Sequence, residues 1–253
     1  MRGSNVSHMI FQIYPPDTNP SRLLLHCQYE PISGWALNIL LQQYEVSKAN
    51  AAADFYYKLS GMPEAAALQG HLFERQVLSH LCGIDKKVEF QIRGLTDSNQ
   101  TMWNYRGRIP NTTFQDSAFF SEITKAVQNQ EPLHLVPLSR NFPAVDSILY
   151  DPNDRKAVFT CIQITTSKDH PIAVSGLRRL QSFLKRQTSL GCLRPSKRRP
   201  WRFLFVVPFG MADHFKLQKL FDDSKDSKLG VGDWVEKMEQ YVLGLEEKTI
   251  FGE

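Results

Sequence analysis

Apolar positions along the chain change period several times, and two runs in its middle are the clearest. Residues 145–150 and 157–165 are dense in β-branched and aromatic side chains, and the DPND between them sets Asp, Pro and Asn at the turn positions that suit each. The pattern predicts a β-hairpin. Alternation places Val145, Leu149, Val158, Ile162 and Ile164 on one face and Ile148, Tyr150, Phe159 and Cys161 on the other, which also carries Asp146. Both faces are largely apolar, as in central strands covered on both sides. The loop leaves Asp146 opposite either Phe159 or Gln163, and in both registers Asp146, Gln163 and Thr165 share a face.

Before the hairpin, residues 64–82 follow Ser60, Gly61 and Pro63 and stop at Gly83, which predicts a helix of about five turns. Leu68, Leu72, Val77, Leu78 and Leu81 form its apolar stripe, with Glu74 at or beside it. VEFQIRG and MWNYRGRI, joined by TDSNQ, read as two strands, and residues 114–136 as a loop with a short helix whose Phe119 and Phe120 pack rather than stack on bases. After the hairpin come a basic helix over 175–188 with Leu177, Leu180 and Leu184 buried, then the strand WRFLFVVP. Helices over 212–221 and 233–245 are expected to close the chain, with Trp234, Met238 and Tyr241 packed inward. Toward the N-terminus, 12–31 is proline-containing with few periodic residues, and 35–59 reads as helical, anchored by Leu37, Leu41, Tyr44, Phe55, Tyr56 and Leu59. Residues 1–9 resemble an expression leader, 10–60 a helical extension, and 61–253 the main domain.

Composition bounds the picture. At 253 residues, 42% hydrophobic and 22% charged, the chain can bury one substantial core plus an extension. Cys27, Cys82, Cys161 and Cys192 have no zinc spacing and read as intracellular thiols. No apolar run approaches a membrane span and no signal peptide is evident, so membrane partners are not expected. Charge is uneven on a chain whose net charge is only +4: residues 171–212 contain no Asp or Glu, yet hold Arg178, Arg179, Lys185, Arg186, Arg194, Lys197, Arg198, Arg199 and Arg202. A phosphate backbone suits such a stretch, whereas a helix rim kept basic for solubility is the structural alternative. RPSKRRP also reads as a nuclear-import-like cluster, which points to an intracellular, nuclear setting.

A carboxylate and an amide on an apolar strand face are costly unless something satisfies them. Local bonding does so if Asp146 caps backbone at the strand entrance and Gln163 reaches a neighbouring loop. A third group, Glu74, would instead make a site. A helix with a Glu, a strand opened by Asp, and an acid or Gln in the next strand resemble the PD-(D/E)XK, or restriction-endonuclease-like, nuclease core. LQGHLFERQVLSHL, FPAVDSILY, IQITTSKDHPI and WVEKMEQYVLGL resemble the C-terminal nuclease-like domain of crinkler and fungal retrotransposon-hot-spot proteins, over roughly residues 60–245. The P-loop signature GxxxxGK[ST] found in the domain that commonly precedes it there is not in this sequence.

The resemblance implies an α/β fold, an αβββαβ sandwich around a central mixed sheet with extra N- and C-terminal helices. It implies metal-dependent phosphodiester hydrolysis of DNA, with Glu74, Asp146 and Gln163 around Mg²⁺ or Mn²⁺, hard cations that take oxygen ligands. Thr165 stands where the family pattern has lysine, so Lys168 or His170, just past the strand, would supply the cation. Arg178, Arg179, Lys185, Arg186, Lys197, Arg198 and Arg199 would meet the phosphates. The implied setting is an effector acting in a nucleus, delivered to a host cell, with a host nuclear protein as a further partner. Two functions stay open: an active nuclease, or a degenerate nuclease fold that binds nucleic acid or protein.

Overall fold

A computed structural model describes residues 11–14, 28–31, 49–60, 62, 65–84, 86–97, 99–106, 109, 111–114, 119–137, 144–154, 156–222 and 231–251. The chain divides into two compact units, Met1–Gln76 with Glu246–Glu253, and Val77–Leu245.

In the first unit β1 (Phe11–Tyr14) and β2 (Gln28–Pro31) pair antiparallel, Phe11 opposite Pro31 and Tyr14 opposite Gln28. This corrects the irregular reading of 12–31: runs of four residues are too short to show a period against the prolines around them. The expected helix over 35–59 is seen as α1 (Ala49–Leu59); its earlier part and the leader 1–9 lie outside the described residues. Tyr56 of α1 stacks 5.0 Å from Phe251 of the closing helix Glu247–Phe251 and 6.2 Å from Phe73. Phe73 belongs to α2 (Ala66–Gly83), which starts in this unit with Leu68, Leu72 and Phe73 buried and ends in the second with Val77 and Leu81 buried.

The second unit is mixed α/β. Its strands are β3 (Val88–Gly94), β4 (Gln100–Tyr105), β5 (Asn111–Phe114), β6 (Leu133–Pro137), β7 (Ser147–Tyr150), β8 (Phe159–Ile164), β10 (Trp201–Pro208) and β12 (Met238–Leu245). They form one eight-stranded sheet in the order β4-β3-β12-β10-β8-β7-β6-β5. The run β6, β7, β8 is antiparallel; the chain then passes through α4 (Val174–Lys185) and returns as β10 parallel to β8, with β12 parallel on its other side. A second small ladder pairs β9 (Ile172–Ala173) with β11 (Leu220–Phe221). No helix among the described residues is long and apolar enough to cross a membrane.

The core lies where α3 (Phe119–Asn129), α4 and a 3-10 turn at Thr188–Leu193 cover one sheet face. Phe119 packs 5.9 Å from Phe183, and Leu177, Leu180 and Leu184 are fully buried as their spacing predicts. Central β10 is buried at every position. The hairpin turn forms as DPND dictates, with the Asn153 N–H donating to Asp151 Oδ1 at 2.9 Å.

Three segments differ from the sequence reading. Residues 114–136 hold β6 as well as a helix; LHLVP is short, with a polar residue second and a proline last, so it shows no strand pattern from sequence. The helix expected over 212–221 is only α5 (Phe209–Ala212) followed by extended chain. The helix expected over 233–245 is a single turn, α6 (Gly232–Val235), and then β12. Trp234, Met238 and Tyr241 have helical spacing, but Trp234 packs from α6 while Met238, Gln240 and Val242 alternate inward from a strand. Gly244 explains the tight end of β12: a Cβ there would lie 2.7 Å from Ala212 Cβ and 3.2 Å from Phe209 Cα, so α5 rests directly on the strand.

Candidate functional site at the open end of the hairpin

The register Ser147 opposite Ile162 brings Asp146 beside Gln163. Gln163 Nε2 donates to Asp146 Oδ2 at 2.7 Å, and the Ile164 N–H donates to the same oxygen at 2.6 Å. Asp146 in turn donates its N–H to the Ile162 carbonyl at 2.9 Å, so the carboxylate seals the end of the β7–β8 ladder. Gln163 is 8% exposed, and the amide faces the carboxylate in the one orientation that sets a donor against an acceptor. Local bonding and proximity therefore coincide: the pair satisfies itself and also places two oxygen-bearing side chains on one strand face.

Thr165 extends the strand, donating its N–H to the Val206 carbonyl at 3.0 Å, and its hydroxyl accepts the Ser167 N–H at 3.0 Å. The loop that follows is held from outside. Gln218 Oε1 accepts the His170 N–H at 2.7 Å, and Gln218 Nε2 donates to the Lys168 carbonyl at 3.1 Å. Gln218 is itself clamped to β12 by two reciprocal bonds with Gln240, each 2.9 Å. The Lys168 side chain is exposed. His170 is half-buried with its ring 6.4 Å from that of Phe205, the residue paired with Gln163 across β8 and β10, and burial lowers its pKa, leaving it neutral at pH 7. Gln218 and Gln240 carry no sequence signal, because each bonds partners distant in the chain.

Glu74 belongs to the first unit, on α2, where its carboxylate lies 3.5 Å from His71 Nδ1 at a half-exposed position. Among the described residues no three His, Cys, Asp or Glu side chains gather closely enough to hold a metal ion. Asp146 and Gln163 offer hard oxygens of the kind Mg²⁺ or Mn²⁺ prefers, with backbone carbonyls and water to complete a shell.

The basic residues divide by environment. Arg178 grips Asp222 with two bonds of 3.0 Å, both side chains about four-fifths buried at 19% and 23% exposure. Arg179 and Arg186 sit over the Phe183 ring at 5.8 and 5.7 Å, and both are exposed on α4 beside Lys185. Lys197 reaches Glu236 at 2.9 Å from an exposed position, Arg199 donates to the Cys192 carbonyl at 3.4 Å, and Arg198 is exposed in the same turn.

Comparison of the chain with protein-family models, curated proteins and solved structures finds no match in any of the three.

Proposed function

We propose that this chain acts on nucleic acid through a restriction-endonuclease-like core of crinkler type, as a metal-dependent nuclease. The observation that carries the reading is the meeting of Asp146 and Gln163 at 2.7 Å at the end of paired strands. The order of elements supports it: three antiparallel strands, a helix, then a strand parallel to the third, with the Asp before the second and the Gln in the third. A divalent ion held by Asp146 and Gln163 would polarise a phosphodiester oxygen and acidify a bound water. His170, neutral at pH 7, is the group on the following loop able to take a proton, and Gln218 fixes its backbone. Exposed Arg179, Lys185 and Arg186 on α4 supply the cationic surface for phosphates.

A degenerate, binding-only module is favoured by two observations: the Gln163 amide gives Asp146 a donor where an active site would use a cation, and the Thr165 hydroxyl is turned to its own loop. Plasmid cleavage with and without Mg²⁺ or Mn²⁺ separates the two. Under the nuclease reading, Asp146→Ala abolishes cleavage, and His170→Ala slows it by roughly 100-fold, the usual scale for a general base, while DNA binding is kept. DNA binding by the wild type without any metal-dependent cleavage leaves the binding module standing.

A further inference from the structure

At the other end of the same hairpin, the turn after β7 closes against β4, through Lys156 Nζ to Thr101 Oγ1 at 3.0 Å and Arg106 Nε to Asp151 Oδ2 at 3.8 Å. Between them opens a cavity of about 310 Å³. Lys87, Arg106, Lys156 and Arg202 line it against Asp151 and Asp154, and Lys87 also pairs with Glu89 outside the lining at 3.3 Å, so four cations less three carboxylates leave one positive charge. The two lining carboxylates are already used by the turn: Asp154 Oδ1 accepts the Lys156 and Ala157 N–H groups at 3.0 and 3.1 Å, and Asp151 Oδ1 accepts from Asn153.

Arg202 is the built element. It is 4% exposed, it pairs with Asp154 Oδ2 at 2.6 Å, and the Tyr241 ring backs its guanidinium at 5.7 Å. Its Nε is buried without a hydrogen-bond partner among the described residues. A guanidinium held this far from water is a strong donor toward an anion that presents several acceptor oxygens. The Asn104 amide adds a neutral polar group at the rim.

We propose that this cavity binds the dianionic phosphate group of a phosphate monoester. The excess of cations over carboxylates favours an anion, the guanidinium fork suits phosphate oxygens, and the volume is at the small end of ligand pockets. The proposal does not depend on the reading of Asp146. The monoester is carried either by a small phosphorylated molecule or by the phosphorylated end of a nucleic acid.

Calorimetric titration at matched ionic strength tests it on the full chain, with inorganic phosphate, a nucleoside 5′-monophosphate, and a short oligonucleotide with and without its 5′-phosphate. Saturable binding of inorganic phosphate and the mononucleotide is expected, weakening as pH falls below about 6, where a monoester gives up its second charge. Arg106→Gln with Lys156→Gln alters only exposed side chains, so the fold survives, and weakens binding by roughly tenfold or more. If the mononucleotide binds as well as the phosphorylated oligonucleotide, the small molecule is the source; if the oligonucleotide binds far better than both, and only with its 5′-phosphate, the nucleic-acid end is. No saturable binding of any probe up to ~10 mM, or equal binding by wild type and the double variant, overturns the proposal.

Discussion

Gln163 holds the place where a second carboxylate would meet Asp146 head on, and its amide turns that meeting from repulsion into a bond. Gln163→Glu should therefore lower stability by roughly 2 kcal/mol at pH 7 in chelator, since a buried and a half-buried like charge at bonding distance disfavour the fold. If the pair forms a metal site, millimolar Mg²⁺ or Mn²⁺ restores much of the loss in a denaturant titration; if metal changes nothing, the binding-only function gains. His134 gives the second expectation. It is wholly buried, with Nε2 3.0 Å from Ser147 Oγ and Nδ1 3.7 Å from Cys82 Sγ, and burial pushes its pKa from 6.5 down to about 4. The unfolded chain thus takes up the proton first as pH falls. The contribution is complete above about 6.5 and is lost progressively toward 4, in total on the order of 3 kcal/mol. Urea unfolding at pH 7 and pH 4.5 should show this slope flattened in His134→Gln; His80 and His170, also shifted down by burial, keep it from vanishing.

Among elements, α5 lies directly against β12, and that seat depends on Gly244. Gly244→Ala puts a methyl 2.7 Å from Ala212 Cβ and should cost roughly 1–3 kcal/mol, read as a lower denaturant midpoint. Gly83→Ala is the control: its Cβ would meet nothing within 4 Å, so the midpoint should hold or rise slightly. How far each element was legible follows from the range of its cues. The β7–β8 hairpin and the placing of Asp146 with Gln163 rest on alternation and a local turn, both present in the sequence. Strand β6 is hidden because His134, whose ring bonds Cys82 and Ser147 from elsewhere in the chain, reads as a surface residue in a five-residue run. Strand β12 is hidden because Trp234, Met238 and Tyr241 fall at helical spacing across a boundary between two elements. The Gln218–Gln240 clamp on the His170 loop is tertiary throughout, and no local pattern announces it.

Over the whole second unit, the sheet is not laid down in the order in which its strands are made. β12 is the last of its strands along the chain, yet it sits third from one edge, between β3 and β10. β3 joins the rest of the sheet only through Gly94 opposite Tyr241 and Arg93 opposite Val242. As the chain leaves the ribosome, β5 to β8 and β10 can assemble among themselves, while the β3 edge of the β3–β4 hairpin stays open until residues 238–245 emerge. An open strand of that kind invites pairing with a neighbouring copy, and charges along it discourage this. Arg93 on β3 is placed to do so, guarding through synthesis the short stretch of edge that β12 later covers.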